Sequence, residues 1–214
     1  MTAAASRREA IGQLLAAELQ PRTLVNIGVG LPAIVPNFVS ADAEVVFHAE
    51  HGVIGIGPMT SAADRPGERQ ATIFGDRHYL VPGAAIVDHA DSFALVRAGR
   101  LDVAILGAFE VDGQGRVANA RLPSMALAGV GGAPEIGAGA HRLIVAMEHT
   151  TARGASRLVS FTELDVISDR RADLVVTQYG CFEPAGGRFL VTKLAPGVTR
   201  QELIRVTDAE LVFA

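Results

Sequence analysis

The sequence contains little cysteine and few aromatic residues, and each shortage excludes a class of protein. A single cysteine, Cys181, cannot form a disulfide within the chain, so a disulfide-stabilised scaffold is excluded and a reducing, cytoplasmic environment is expected. Aromatic residues make up 5% of the 214 residues and tryptophan is absent, which argues against an aromatic-lined sugar or nucleic-acid groove. No apolar run reaches the roughly 18 residues that a membrane span requires.

Charge is too evenly distributed to indicate a charged partner. Charged residues make up 20% of the chain, the formal net charge is −4, and Lys and Arg form no cluster. Neither a nucleic-acid-binding face nor a membrane-surface patch is therefore expected. Near the N-terminus, Arg7, Arg8 and Glu9 interrupt the apolar region that a signal peptide needs, so this segment is expected to form a capped helix.

Ala, Val, Ile and Gly dominate, which is typical of buried parallel strands packed between helices. Short apolar segments predict strands at residues 23–30, 44–49, 78–82, 101–106, 143–147, 174–177 and 211–213, with a hairpin at 180–194. Helices are predicted at residues 6–20, 31–39, 91–98 and 197–207, and a surface loop at 60–76. This alternation predicts a single α/β domain over residues 1–214, with a mostly parallel sheet and helices on both faces.

Residues 47–58, FHAEHGVIGIGP, place Glu50 between His48 and His51 at the end of a predicted strand. In open α/β sheets, ligands bind where loops follow the carboxyl ends of strands. Three chemistries could use this stretch: metal ligation, general acid–base catalysis and nucleophilic attack by the carboxylate. The other residues expected at the same edge are Gly28, Gly30, Asn119 and the turn at residues 129–132.

Metal ligation has limited support in the sequence. His48-Ala-Glu50 matches only the H-x-E half of the zinc deaminase signature, and the other half needs two cysteines. A metal site that uses His48 and His51 stays an alternative. Its third ligand would be a remote histidine: His78, His89 or His149. The simpler expectation is that His48 points into the sheet interior, hydrogen-bonded and inert.

The sequence gives little support to three further chemistries: dinucleotide binding, a serine nucleophile and a reactive thiol. The segment from Gly28 to Ala33 resembles the G-x-G-x-x-A dinucleotide fingerprint, but Pro32 removes an amide that would face a pyrophosphate, so NAD is not expected. Ser92 and Ser124 lie in no nucleophile-turn motif, and Cys181 is expected to be a small buried residue.

A nucleophilic carboxylate must be reachable and must face donors for a developing oxyanion. Glycines at positions 52, 55 and 57 follow Glu50 closely and are expected to leave it uncovered. The backbone amides of Gly131 and Gly132 are candidate donors. The residues alone therefore favour Glu50 as a nucleophile.

Ordered motifs along nearly the whole chain resemble the B (beta) subunit of 3-oxoacid CoA-transferases, among them succinyl-CoA:3-ketoacid and 3-oxoadipate CoA-transferases. The family's N-x-G-x-G-x-P appears as Asn26-Ile-Gly-Val-Gly-Leu-Pro32. Its S-E-N-G-x-x-G-x-G-P, which carries the catalytic glutamate, appears as Ala49-Glu50-His51-Gly-Val-Ile-Gly-Ile-Gly-Pro58. Other matching segments lie at residues 82–102, 106–119, 129–133 and 147–150.

The resemblance implies the fold shared by CoA-transferases and the ribose-5-phosphate isomerase-like group. It also implies a glutamyl-CoA thioester on Glu50, with coenzyme A as a substrate and no metal ion or other cofactor. A separate A (alpha) subunit would complete the site, in an A2B2 heterotetramer. The expected residues for binding acyl-CoA and carboxylic acid substrates are Asn26, Gly28, Gly30, His51, Gly52, Asn119, Gly131 and Gly132.

The sequence departs from the family pattern at three places. His51 stands where the family usually has Asn, His48 replaces a common Gln or related residue, and residues 120–125 lack a frequent lysine. These changes leave the acyl group open and allow a hydrolase or another CoA-ester enzyme with His51 as general base. A non-catalytic partner subunit is a second alternative. For His51, the simpler expectation is a hydrogen-bonding replacement for Asn.

Overall fold

A computed structural model describes residues 3–59, 70–73, 75–122, 131–166 and 168–213. Its α-helices are α1 Ala3–Ala17, α2 His89–Arg97, α3 Ala133–Gly139 and α4 Arg200–Arg205, and two 3₁₀ helices cover Pro32–Asn37 and Ala41–Ala43. None of the helices in these ranges is both long enough and apolar enough to cross a membrane.

The strands are numbered in chain order. They are β1 Leu24–Ile27, β2 Val46–Ala49, β3 Val53–Met59, β4 Gln70–Ile73, β5 Asp76–Ile86, β6 Leu101–Gly107, β7 Glu110–Asp112, β8 Val117–Ala118, β9 Ala140–Ala146, β10 Leu158–Val159, β11 Leu174–Thr177, β12 Gly180–Pro184, β13 Phe189–Leu194 and β14 Leu211–Phe213.

One eleven-stranded sheet dominates the fold, in the order β14-β13-β12-β11-β9-β6-β1-β2-β3-β5-β4. The central strands β11, β9, β6, β1 and β2 all run parallel to their neighbours within this group. Antiparallel pairs extend the sheet on both sides, and β10, β7 and β8 form a second, small sheet. The predicted α/β fold with a mostly parallel sheet is confirmed.

Helices cover both faces of the sheet because the central strands are apolar on both sides. In β6, Val103 and Ile105 belong to the core cluster that contains the buried face of α1. The alternate residues Ala104 and Leu106 belong to the opposite cluster, together with α2 and α3 residues such as Phe93 and Ile136. The period-two pattern of a strand thus places a core on each side.

Two parts of the sequence prediction need correction. Residues 31–39 form a 3₁₀ helix at Pro32–Asn37, because Pro36 has no N–H to donate to an α-helical ladder. The predicted loop at 60–76 contains β4 and the start of β5, while residues 60–69 and 74 lie outside the described residues. Strand β3 and helix α3 were not predicted.

Candidate active site

Glu50 lies at the tip of the β2–β3 hairpin, at the carboxyl end of β2 as the sequence predicts. Ala49 pairs with Val53, so residues 50–52 form a three-residue connection. The Gly52 N–H donates to the Ala49 carbonyl at 3.0 Å. Gly52 has φ 103°, and the last residue of a three-residue hairpin loop needs such a positive φ, which glycine adopts readily. A Cβ at Gly52 would collide with the Val87 carbonyl oxygen. Gly52 therefore shapes the turn that presents Glu50.

The backbone of Glu50 is held by a chain of buried side chains. The Ser92 hydroxyl on α2 donates to the Glu50 carbonyl oxygen at 2.7 Å. Ser92 Oγ lies 2.8 Å from His48 Nε2, and His48 Nδ1 lies 3.0 Å from Asn26 Nδ2. Asn26, His48 and Ser92 are each at most 1% exposed. We call these three residues the Asn26–His48–Ser92 relay.

The relay has one consistent direction of donation. A carbonyl oxygen can only accept, so the Ser92 proton points to Glu50 and His48 Nε2 must carry the proton that reaches Ser92. His48 Nδ1 then accepts from the Asn26 amide, which leaves Asn26 Oδ1 buried without a partner among the described residues. Burial lowers the pKa of His48 to about 4, with a smaller contribution from His51, so the imidazole is neutral at neutral pH.

The Glu50 side chain lines a cavity of about 400 Å³ at the carboxyl ends of β1 and β6. Six of the nine predicted site residues line it: Asn26, Gly28, Glu50, Asn119, Gly131 and Gly132. Gly30, His51 and Gly52 do not. His51 is exposed on the turn, and Gly30 is exposed beyond the end of β1. The structure therefore brings together residues that lie far apart in the chain, but it places His51 outside the cavity wall.

Gly132 lies directly against the Glu50 carboxylate. A Cβ built at Gly132 would collide with Glu50 Oε2 and with the Phe93 ring, whereas one at Gly131 would lie 3.9 Å from Glu50 Oε1. Glycine at position 132 is therefore required for the carboxylate to occupy this place. The glycines after Glu50 have a different role from the one expected: Gly55 packs against Ala84 on the neighbouring strand and does not line the cavity.

Arg157 is a cavity residue that the sequence did not indicate. It lies just before β10 and outside every motif found in the sequence, so no local signal could have identified it. Its buried Nε has no hydrogen-bond partner among the described residues, and neither has the Oδ1 of Asn119. Two residues of opposite charge, Glu50 and Arg157, thus line the cavity.

Other predicted chemistries find less support. Both ring nitrogens of His48 are engaged by the relay, which leaves neither for a metal ion. Within the described ranges, no group of three or more His, Cys, Asp and Glu side chains could hold a metal ion. The glycines at 28 and 30 precede a short 3₁₀ helix, so they lack the α-helix N-terminus that binds a dinucleotide pyrophosphate.

The remaining expectations concern Cys181 and two serines. Cys181 is fully buried, so the prediction of a small buried residue is confirmed, and this burial raises the pKa of the thiol to about 12. Ser92 hydrogen-bonds to His48 but donates its proton to the Glu50 carbonyl, which is not the geometry of a nucleophile. Ser124 and Gly129 lie outside the described residues.

Comparison with known proteins identifies related sequences along almost the entire chain. The family model Coenzyme A transferase matches residues 8–205. The beta subunit of a probable coenzyme A transferase from Bacillus subtilis is 35% identical over 209 residues, which cover 96% of this chain and 94% of the relative. The B subunit of a succinyl-CoA:3-ketoacid coenzyme A transferase from Helicobacter pylori is 35% identical over 209 residues, covering 95% and 97%.

Solved structures share the fold at lower sequence identity. The acyl-CoA transferase YdiF from Escherichia coli O157:H7 superposes with a TM-score of 0.75 at 20% identity, over 97% of this chain and 42% of YdiF. The chain thus spans about two-fifths of the length of that enzyme. A variant of the decarboxylase AibA/AibB superposes with a TM-score of 0.69 at 20% identity, over 97% of this chain and 85% of its own. At such identities these likenesses establish the fold alone, and one fold can carry different chemistries.

Proposed function

The chain belongs to the coenzyme A transferase family, and we propose that it is the beta subunit of a CoA-transferase with Glu50 as the covalent nucleophile. Its substrates would be short-chain 3-oxo or dicarboxylic acids and their CoA esters. The observation that carries the proposal is the placement of Glu50. Its carboxylate lines a cavity of about 400 Å³, directly against a glycine that leaves room for it.

The proposed reaction exchanges bonds at carbonyl carbons only. A Glu50 carboxylate oxygen attacks the thioester carbonyl of acyl-CoA, the C–S bond breaks, and CoA leaves as a thiolate. The thiolate then attacks the glutamyl carbonyl of the resulting anhydride and releases the first acid as a carboxylate, which leaves a glutamyl-CoA thioester. An acceptor carboxylate reverses both steps. Because no step changes an oxidation state, the reaction needs no redox cofactor, and covalent catalysis divides one difficult transfer into easier ones.

The other cavity residues suggest how substrates are held. The backbone amides of Gly131 and Gly132 are the proposed donors to the oxyanion that forms beside Glu50. The Arg157 guanidinium is the proposed partner of the acid's carboxylate, since its buried Nε has no other partner among the described residues. Asn26 and Asn119 line the same cavity and are proposed to contact the acyl group or the pantetheine arm.

The proposed assembly contains a second type of subunit. The relatives from Bacillus subtilis and Helicobacter pylori are named as a beta and a B subunit, respectively. We expect this chain to need an alpha subunit for activity, in an A2B2 heterotetramer. Size-exclusion chromatography with light scattering on the co-expressed chains would give the stoichiometry.

The proposed function is tested by intact-protein mass spectrometry. This chain is co-expressed with its alpha subunit, and the complex is exposed briefly to acetoacetyl-CoA or succinyl-CoA before the measurement. A CoA-sized adduct should form on this chain, disappear on addition of a carboxylic acid, and be absent in Glu50→Gln. Glu135→Gln is the matched control, since Glu135 is exposed on α3 and pairs with Arg97 outside the cavity.

Other outcomes would select the alternatives. An adduct on Glu50→Gln would refute the nucleophile assignment. Steady release of CoA without any acceptor acid would indicate a hydrolase, although exposed His51 lies outside the cavity wall. Full transferase activity of the complex with Glu50→Gln would indicate a non-catalytic partner subunit.

A further inference from the structure

The Asn26–His48–Ser92 relay lies beside the proposed chemistry, and of its three residues Asn26 alone lines the cavity. His48 and Ser92 do not line the cavity, and both are fully buried. The two side chains lie 44 residues apart in the sequence, one on β2 and the other on α2. Polar side chains in a core are costly unless they are hydrogen-bonded, so a buried relay that ends on one carbonyl oxygen calls for a physical account.

We propose that His48 and Ser92 are positioning residues, which hold the Glu50 peptide in the orientation that directs its carboxylate into the cavity. This inference rests on the proposed function of Glu50. The relay reaches Glu50 through its backbone, at the first position of the turn between β2 and β3.

Three fixed elements meet at the relay. Asn26 belongs to the central strand β1, His48 to β2 and Ser92 to α2. Ser92 donates to the Glu50 carbonyl oxygen at 2.7 Å, so rotation of the peptide that joins Glu50 to His51 would break this bond and leave both groups without a partner. The opposite end of the turn is closed by the Gly52–Ala49 hydrogen bond. Glu50 is thereby held from both sides, and its Cα–Cβ direction follows from the backbone.

His48 sets the direction of the relay. With its proton on Nε2, it supplies the hydrogen bond that orients the Ser92 hydroxyl towards Glu50. Its Nδ1 accepts from Asn26, so the Asn26 amide nitrogen points to the relay and its oxygen points elsewhere. The neutral ring also keeps positive charge out of this buried position. A side chain with one donor and one acceptor at similar reach could do the same, and glutamine meets that requirement.

Kinetics of the complex between this chain and its alpha subunit separate positioning from binding. Ser92→Ala removes the bond to Glu50, and His48→Leu removes the partner that orients Ser92. We expect each to lower kcat by about 10- to 100-fold, because misplacement by about 1 Å has effects of this size. The KM for acyl-CoA should change by less than about threefold, since neither residue lines the cavity. His48→Gln should recover most of the lost kcat.

His149→Gln is the matched control, because His149 is equally buried and hydrogen-bonded through both ring nitrogens but lies in a different network. Its folded fraction should have wild-type kcat. If Ser92→Ala keeps kcat within about twofold of wild type, or if His48→Gln is no better than His48→Leu, the proposal is wrong.

Hydrogen exchange measured by mass spectrometry tests the same proposal without any reaction. Ser92→Ala should accelerate exchange in the peptide that covers residues 46–53, and His149→Gln should leave that peptide unchanged. Equal exchange in wild type and Ser92→Ala would overturn the positioning role. If Glu50→Gln still forms the CoA adduct, the proposed function fails, and the exchange result still decides whether the relay holds the turn.

Discussion

His48 and His149 are two buried histidines that differ in where their hydrogen bonds lead. Each is fully buried, and burial is the main cause that lowers the pKa of each ring to about 4. His149 Nδ1 lies 3.0 Å from Thr177 Oγ1, and its Nε2 lies 2.9 Å from Thr207 Oγ1. Thr207 then donates to the Leu203 carbonyl of α4 at 2.7 Å. The side-chain network around His149 ends on the backbone of α4, and none of His149, Thr177 and Thr207 lines the cavity.

The contrast shows that burial and saturated ring nitrogens do not distinguish a structural histidine from a functional one. Around His149, ring contacts with Tyr179 and Phe182 at 5.0 and 5.5 Å complete a packed junction. Around His48, the relay ends on the peptide of Glu50 and leaves Asn26 Oδ1 unpaired at the cavity wall. The group on which the hydrogen-bond network ends therefore indicates the role of a buried histidine better than the burial and hydrogen bonding of its ring. Changes near Glu50 should affect activity, and changes near His149 should affect stability.

The largest expected effect tests whether changes near Glu50 affect activity. Gly132→Ala would place a methyl group where the Glu50 carboxylate and Phe93 ring now lie. We expect kcat/KM for CoA transfer to fall by at least about 100-fold, which corresponds to about 2.7 kcal/mol. Gly137→Ala, within the helix α3 that Gly132 precedes, is the control, because its new Cβ would meet only ordinary contacts at 3.6 Å or more. Comparable activity of the two variants would contradict the assigned place of the carboxylate.

The second-largest expected effect tests whether changes near His149 affect stability. His149→Leu leaves the buried hydroxyl of Thr177 and the half-buried hydroxyl of Thr207 without their ring partner, and should lower the free energy of unfolding by about 2–4 kcal/mol. Urea unfolding of the complex would measure this loss. CoA transfer per folded protein should stay near wild type. A large loss of kcat with unchanged stability would mean that the two networks do not differ as proposed.

The two histidines should behave alike towards pH. Both pKa values are lowered from 6.5 to about 4, so the unfolded chain binds more protons between these pH values and stability falls as pH drops through this window. At pH 5, above the usual range of carboxylates, each histidine should have lowered the free energy of unfolding by about 2 kcal/mol relative to neutral pH. Urea unfolding at several pH values should show a weaker dependence for His48→Gln and for His149→Gln. An unchanged dependence in either variant would contradict burial of that neutral ring.

The smallest expected effect tests whether Arg157 binds the acceptor acid in the cavity. Arg157→Gln should raise the KM for the acceptor acid by about tenfold with a small change in kcat, because one charge-assisted contact is lost. The KM of Arg157→Lys should lie between those of the wild type and Arg157→Gln, since lysine keeps the charge but not the planar guanidinium. Arg153→Gln, exposed in the preceding loop, is the control for a general loss of positive charge. Equal KM values for Arg157→Gln and Arg153→Gln would exclude Arg157 from acid binding.

Local patterns predicted much of the fold. The central strands β1, β6, β9 and β11 are short runs of buried apolar residues, and such runs are recognisable without their neighbours. Strand β3 was missed because its glycines and proline weaken any apolar period, and its close packing against β5 requires the glycines. Helix α3 was missed for the same reason, since glycine and proline make up much of it.

The sequence by itself determined the α/β class, the family, and the position of Glu50 at the end of β2, because these follow from apolar runs and motifs that extend over a few neighbouring residues. Only the tertiary structure decided that Gly132 touches the Glu50 carboxylate, that Arg157 enters the cavity, and that His51 stays outside it. It also decided that His48 meets Ser92 on a distant helix. The physical reason is that such contacts depend on strand order, register and side-chain direction, which are set when both faces of the sheet pack at once.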